Sequence, residues 1–146
     1  MRVLIAIDDS KFSQEALTRF AGQIRPEGSE IRILHVVQPI ATAPIPQMDA
    51  HYTPEIKEQM EKGRELVQRA ASTLRGNGFK VETAVEKGDI RMRIVDTAAE
   101  WPADLIVVGS HGRTGLQRLL LGSVAEFVAR HAPCSVEIVR ASTQKP

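Results

Sequence analysis

The stretch LIVVGSHGRTGLQRLLLGSVAEFVARHAPCSVEIV, Leu105 to Val139, carries two strand signals around one helix signal. Leu105 to Val108 is a continuous apolar run rich in β-branched residues, the composition of a strand buried on both faces. Glycines follow at 109, 112, 115 and 122. From about Ser123 to Arg130 the pattern turns helical, Ala132-Pro133 breaks it, and Ser135 to Val139 reads as a last short strand. A strand, a helix and a strand in that order predict a crossover between parallel strands, and such crossovers are right-handed.

The same alternation runs through the rest of the chain. Val3 to Ile7 reads as a buried strand stopped by Asp8-Asp9-Ser10. Phe12, Ala16, Leu17, Phe20 and Ile24 then recur at helical spacing, with Ser10 or Ser13 as the N-cap. Ile31 to Val37 is a second strand, and a proline-rich segment with prolines at 39, 44, 46 and 54 follows it. That segment is expected to be a long surface loop and a candidate flap over a site. Pro54 to Leu74 is a helix capped by Thr53 and stopped by Gly76-Asn77-Gly78. Phe79 to Glu86 is a strand, and Gly88-Asp89 opens a helix with Ile90, Ile94, Val95 and Ala98 on one face. The tail after Arg140 is expected to fray. Five strands joined by four crossovers make an open, doubly wound parallel sheet the natural α/β solution, in one domain over residues 1–146.

Composition excludes several functions. The chain of 146 residues has 19 basic and 18 acidic side chains, a net charge of +1, and only 4% aromatics. It therefore lacks both the electrostatic drive toward nucleic acid and the stacking platforms for single strands. The N-terminal apolar run is too short for a signal peptide or a membrane span, so the cytoplasm is expected. The one cysteine, Cys134, reads as a buried small apolar residue in a reducing compartment.

In open α/β sheets ligands bind beyond the carboxyl ends of the strands where the strand order reverses. Two segments look built for that edge, Ile7-Asp8-Asp9-Ser10 and Gly109-Ser110-His111-Gly112. The strand order 3-2-1-4-5 would set Asp8 and Gly109 side by side. Gly109 would let a flat group approach the main chain, and Gly112 could turn it sharply. Gly122-Ser123 at a helix start offers free N–H groups to an anion. Ser123-Val124-Ala125-Glu126 also reads as a capping box, so the Ser123 hydroxyl could cap its own helix, contact a phosphate, or alternate. His111, Arg113 and Arg118 add hydrogen-bonding or positive groups nearby. Neither a P-loop nor a G-x-G-x-x-G fingerprint is present.

These residues resemble the universal stress protein family, and specifically its ATP-binding branch with the pattern G-x2-G-x9-G-[ST], matched by Gly109, Gly112, Gly122 and Ser123. The resemblance extends to VLIAIDDSKFSQEAL, ILHVV, GDI and HAPCSVEIV, and so covers nearly the whole chain. It implies a flavodoxin-like, adenine nucleotide α-hydrolase-like three-layer sandwich with a five-stranded parallel sheet of order 3-2-1-4-5. It also implies ATP binding, with a magnesium or manganese ion on the phosphates, and a homodimer through the C-terminal edge strand. Residue by residue, Asp8 would contact the ribose, Ala6, Ile7 and Val36 the adenine, and Val108 and Gly109 would lie beneath the nucleotide. Gly112, Arg113, Gly122, Ser123 and Val124 would serve the phosphates. Two departures stand out: Ala6 replaces a frequent proline, and Glu137 lies inside a last strand that is often wholly apolar. A charge on an edge strand opposes pairing, although a partner such as Arg140 could satisfy it.

The functional reading is an ATP-binding regulatory or stress-response protein with little or no turnover. A slow ATPase or phosphotransfer enzyme and a nucleotide-free structural dimer are the alternatives, and no catalytic dyad or carboxylate metal cluster is visible. His111 is expected to be a solvent-facing loop residue, with proton transfer on phosphate as its alternative role. His35 reads as a satisfied residue at a strand end, and Trp101 as packing.

Overall fold

The computed structural model describes residues 1–39, 53–111 and 121–140. Along these the elements are β1 (Arg2–Ala6), α1 (Lys11–Gln23), β2 (Glu30–Val37), α2 (Pro54–Gly76), β3 (Lys80–Lys87), α3 (Ile90–Glu100), β4 (Leu105–Gly109), α4 (Ser123–His131) and β5 (Ser135–Val139). The proline-rich segment 40–52, the glycine-rich 112–120 and the tail 141–146 lie outside the described residues. The expected flap and the expected fraying fall there.

The strands form one parallel sheet of order β3-β2-β1-β4-β5, the order that the family resemblance implies. Ile5 lies opposite Ile33 on β2 and opposite Val107 on β4, so β1 is paired along both edges. Alternate side chains of each strand face opposite layers. Val3, Ile5, Ile31, Ile33 and Val107 pack against Phe20 of α1 and Val67, Ala71 and Leu74 of α2. Leu4, Leu34, Val36, Ile106 and Val108 pack against Ile94 and Ala98 of α3 and Ala125 and Val128 of α4. Both faces of the central strands are thus covered, which explains their near-continuous apolar sequences.

The helix boundaries follow local chemistry. Ser10 caps α1, Thr53 caps α2 with Pro54 in its first turn, and Asp89 caps α3. Ser13, the other cap candidate, is instead buried at the start of α1. Helix α2 runs two residues past its expected end and stops where Gly78 adopts φ of +90°, a conformation that suits glycine, with the Phe79 N–H donating back to the Leu74 carbonyl at 3.1 Å. Trp101 packs as expected, with the Arg32 guanidinium 4.6 Å above its ring.

Ile33 is fully buried under α1 and α2. Ile33→Ala is expected to cost about 2–5 kcal/mol of stability. In urea titration this should appear as a lower midpoint with an unchanged slope.

Candidate functional site

The crossovers from β1 and β4 cover opposite faces of the sheet, so the carboxyl ends of these neighbouring strands border an open crevice. A cavity of about 690 Å³ occupies it. Of the residues expected to form a site, Ala6, Ile7, Asp8, Val36, Val108, Gly109, Gly122, Ser123 and Val124 all line this cavity. Gly112 and Arg113 lie outside the described residues, as does Arg118. The cavity is lined by the apolar side chains of Leu34, Val36, Ile94, Val108 and Val124, and by polar residues that include Asp8, Ser13, His35, His111 and Ser123.

The carboxylate of Asp8 is held by its own loop. Its Oδ1 accepts from the Ser10 N–H at 2.9 Å and from the Ser13 hydroxyl at 2.9 Å. The Ser13 oxygen in turn accepts from the Asp8 N–H at 2.8 Å. These bonds commit Oδ1, and Oδ2 is the oxygen available to a ligand hydroxyl. Ser13 was not legible as a site residue, because D-x-x-x-x-S spacing reads only as a cap until the strand end folds back.

Gly122 is fixed to the end of β4. Its N–H donates to the Ser110 carbonyl at 2.8 Å, and a Cβ built on it would stand 2.9 Å from that oxygen and 3.4 Å from the His111 Cα. The requirement for glycine here is close approach, since its φ of −61° suits any residue. A Cβ on Gly109 would instead point at Phe12 and the His111 carbonyl, at 3.4–3.7 Å, an ordinary contact. The space left by Gly109 therefore adjoins the first turn of α1.

The expected capping box does not form. Gly122 is the N-cap of α4, and no side chain caps this helix. Ser123 is the first helical residue, one position too late to cap, and the Glu126 carboxylate pairs with Arg130 at 3.0 Å on the exposed face. The first N–H groups of α4, those of Ser123, Val124 and Ala125, are left facing the crevice with the positive end of the helix dipole behind them. The Ser123 hydroxyl is correspondingly free of a capping duty.

His111 is not the solvent-facing residue expected. Its ring is half-buried beside Phe12, with centroids 5.8 Å apart, and its Nδ1 lies 3.0 Å from the Ser110 hydroxyl. Among the described residues its Nε2 is buried without a hydrogen-bond partner. An orphaned polar atom beside a cavity is a common mark of a binding site.

His35 behaves as a strand-end residue with its bond satisfied: its Nδ1 lies 2.9 Å from the Ile7 carbonyl. The ring sits over Gly63 of α2, where a Cβ would stand 2.8 Å from the His35 Cδ2. Both residues line the cavity, and Gly63, a lone glycine inside a helical pattern, was not legible as a site residue. Cys134 is only half-buried and lies away from the cavity; burial, with Asp104 adding to it, pushes its thiol above the ordinary value. Among the described residues no group of three or more His, Cys, Asp or Glu could hold a metal ion, and no helix is long and apolar enough to cross a membrane.

A sequence model of the universal stress protein family matches residues 1–140. The chain belongs to that family. It is 32% identical over 145 residues to the universal stress protein YxiE of Bacillus subtilis, covering 95% of this chain and 98% of that relative. The solved universal stress protein UspA from Lactobacillus plantarum shares the fold with a TM-score of 0.84 at 23% identity, covering 96% of this chain and 97% of that one. The universal stress protein from Archaeoglobus fulgidus, solved in complex with dAMP, shares it with a TM-score of 0.69 at 24% identity, covering 94% and 96%.

Within this universal stress protein Gly109 at the end of β4 and Gly122 at the start of α4 have different duties, and substitution separates them. Gly122→Ala forces a methyl group against the Ser110 carbonyl and is expected to cost about 1–3 kcal/mol. Gly109→Ala should shift the thermal midpoint much less. Equal losses in a melting experiment would contradict the close-approach account of Gly122.

Proposed function

We propose that the chain is one nucleotide-binding domain that takes ATP and acts as a nucleotide-dependent regulatory protein of the stress response, with little or no turnover. The observation that carries this reading is the uncapped start of α4, clamped by Gly122 against Ser110 and opening on the cavity beneath β1 and β4. An adenine would lie against the apolar wall of Val36, Val108 and Val124, beside Ala6 and Ile7. Asp8 Oδ2 suits a ribose hydroxyl, because Ser10 and Ser13 hold the carboxylate by its other oxygen. The Ser123 and Val124 amides and the Ser123 hydroxyl suit the phosphates, and His111, whose Nε2 has no partner among the described residues, lies beside Gly122 on the same cavity. That the Archaeoglobus fulgidus relative was solved with dAMP supports an adenine nucleotide here.

The magnitudes are adequate. Hydrogen bonds to charged groups contribute about 1.5–3 kcal/mol each. Three or four of them supply much of the roughly −8 kcal/mol of micromolar binding. A magnesium or manganese ion would be carried by the phosphates, whose charge it would neutralise; the Ser123 hydroxyl would still serve to orient them.

We further propose a cytoplasmic homodimer that pairs through β5. This strand lies at the edge of the sheet, and Val136 and Ile138 on it are only partly buried. Glu137, half-exposed between them, would need a cation across the interface, and Arg140 is close to it in sequence.

Calorimetric titration of ATP into nucleotide-stripped protein is expected to show micromolar binding. Gly122→Asp should abolish it, because the added side chain collides with the Ser110 carbonyl that holds the start of α4 in place, and product analysis should recover ATP intact. A folded wild-type protein that binds no ATP would overturn the reading, and rapid ADP release would replace the regulatory role with an enzymatic one.

A further inference from the structure

The main chain of β2 points alternately at its two neighbours, and the hydrogen bonds fix which residue serves which side. The Glu30 N–H donates to the Met1 carbonyl at 2.8 Å, and the Leu34 carbonyl accepts from the Ile7 N–H at 2.9 Å. The Val37 carbonyl accepts from the Gly88 N–H at 3.0 Å on the other side. Even-numbered residues of β2 therefore turn their peptide groups toward β1, and odd-numbered ones toward β3.

The next rung toward β1 would be the Val36 N–H donating to the Ile7 carbonyl. That carbonyl is instead 2.9 Å from Nδ1 of His35. A carbonyl only accepts, so Nδ1 carries the proton and donates. Among the described residues the Val36 N–H has no main-chain acceptor in its place. The chain turns away from β2 at Asp8, whose N–H donates to the Ser13 hydroxyl at 2.8 Å.

We infer that His35 is a positioning residue for base recognition. Its imidazole bonds the last carbonyl of β1 from the side on which the Val36 N–H would approach, and among the described residues the Val36 N–H and C=O have no main-chain partner on that side, at the cavity edge. The two groups form a donor beside an acceptor on a strand edge, next to the apolar wall. An adenine ring matches this pair with its N1 acceptor and its 6-amino donor. Guanine places a donor at N1 and an acceptor at O6, the reverse order, and would leave both Val36 groups unpaired. Gly63 belongs to the same device, because a side chain there would press on the His35 ring from 2.8 Å away. A glycine inside α2 lowers helix stability, and the seat for the histidine is the structural reason for it.

The inference rests on the nucleotide-binding reading and specifies how the base is chosen. Three measurements test it. In free wild-type protein the Val36 amide should exchange with deuterium far faster than the Ile33 and Leu34 amides, and ATP should protect it. His35→Ala should let the β1 rung close, protect the Val36 amide without nucleotide, and reduce the ATP-over-GTP affinity ratio about tenfold or more. Binding of inorganic triphosphate should stay within twofold. His35→Asn, whose side-chain amide can donate to the Ile7 carbonyl, should restore most of the ratio; Gly63→Ala should lower it. Slow exchange of Val36 in the free protein overturns the inference, even if His35→Ala fails to fold. An unchanged ATP-over-GTP ratio in a folded His35→Ala protein overturns it while the nucleotide-binding reading stands. If folded wild type binds no ATP, both fall together.

Discussion

Pairing of β1 along both of its edges is the constraint on which the rest of the molecule depends. Strand β1 is five residues long and buried, with Val3, Leu4 and Ile5 fully shielded. Its neighbours are reached by crossovers on opposite faces, so no helix can close over its carboxyl end. Everything placed at that end inherits a cavity with apolar walls from the strands and polar groups from the turns. The Asp8 loop, the Gly122 clamp and the His35 ring are three ways of finishing the strand ends that meet there.

Each of the three ends differently, and the differences have chemical consequences. At Asp8 the chain folds into its own hydroxyl network, which fixes a carboxylate. At Ser110 a carbonyl accepts from the start of the next helix, which aims that helix at the crevice. At His35 a side chain stands in for a main-chain donor. The bonds at Ser110 and His35 are modest, at about 0.5–1.5 kcal/mol each for a typical exchange with water, and those to the Asp8 carboxylate contribute about 1.5–3 kcal/mol each. Their effect is to fix directions in which groups point.

Much of this was legible because strand burial and helix amphipathicity leave different periods in the sequence. Val3 to Ile7 and Leu105 to Val108 announce two-sided burial by their continuous apolar runs, Ile31 to Val37 does so with Arg32 and His35 interrupting the run, and Ser10, Thr53 and Asp89 announce helix starts. The order of strands was reached only through the family pattern, since periodicity does not say which strands touch. The misreadings share a cause: they concern contacts between residues far apart in the chain. Serine and glutamate three apart make a capping box only if the serine is the cap, and the clamp to Ser110 shifts that duty to Gly122. His111 looked solvated because its cover, Phe12, comes from α1. The proline-rich segment and Gly112 to Leu120 fall outside the described residues.

The bond from the Gly122 N–H to the Ser110 carbonyl also makes the chain between them a closed excursion. Its two ends meet at one point, whatever lies between. Closing a longer excursion costs only about 0.6 kcal/mol for each doubling of its length. The bond that closes it, and not the length of the interval, therefore sets where α4 begins relative to β4. The end of β4 and the start of α4 are thus one joined unit at the edge of the crevice.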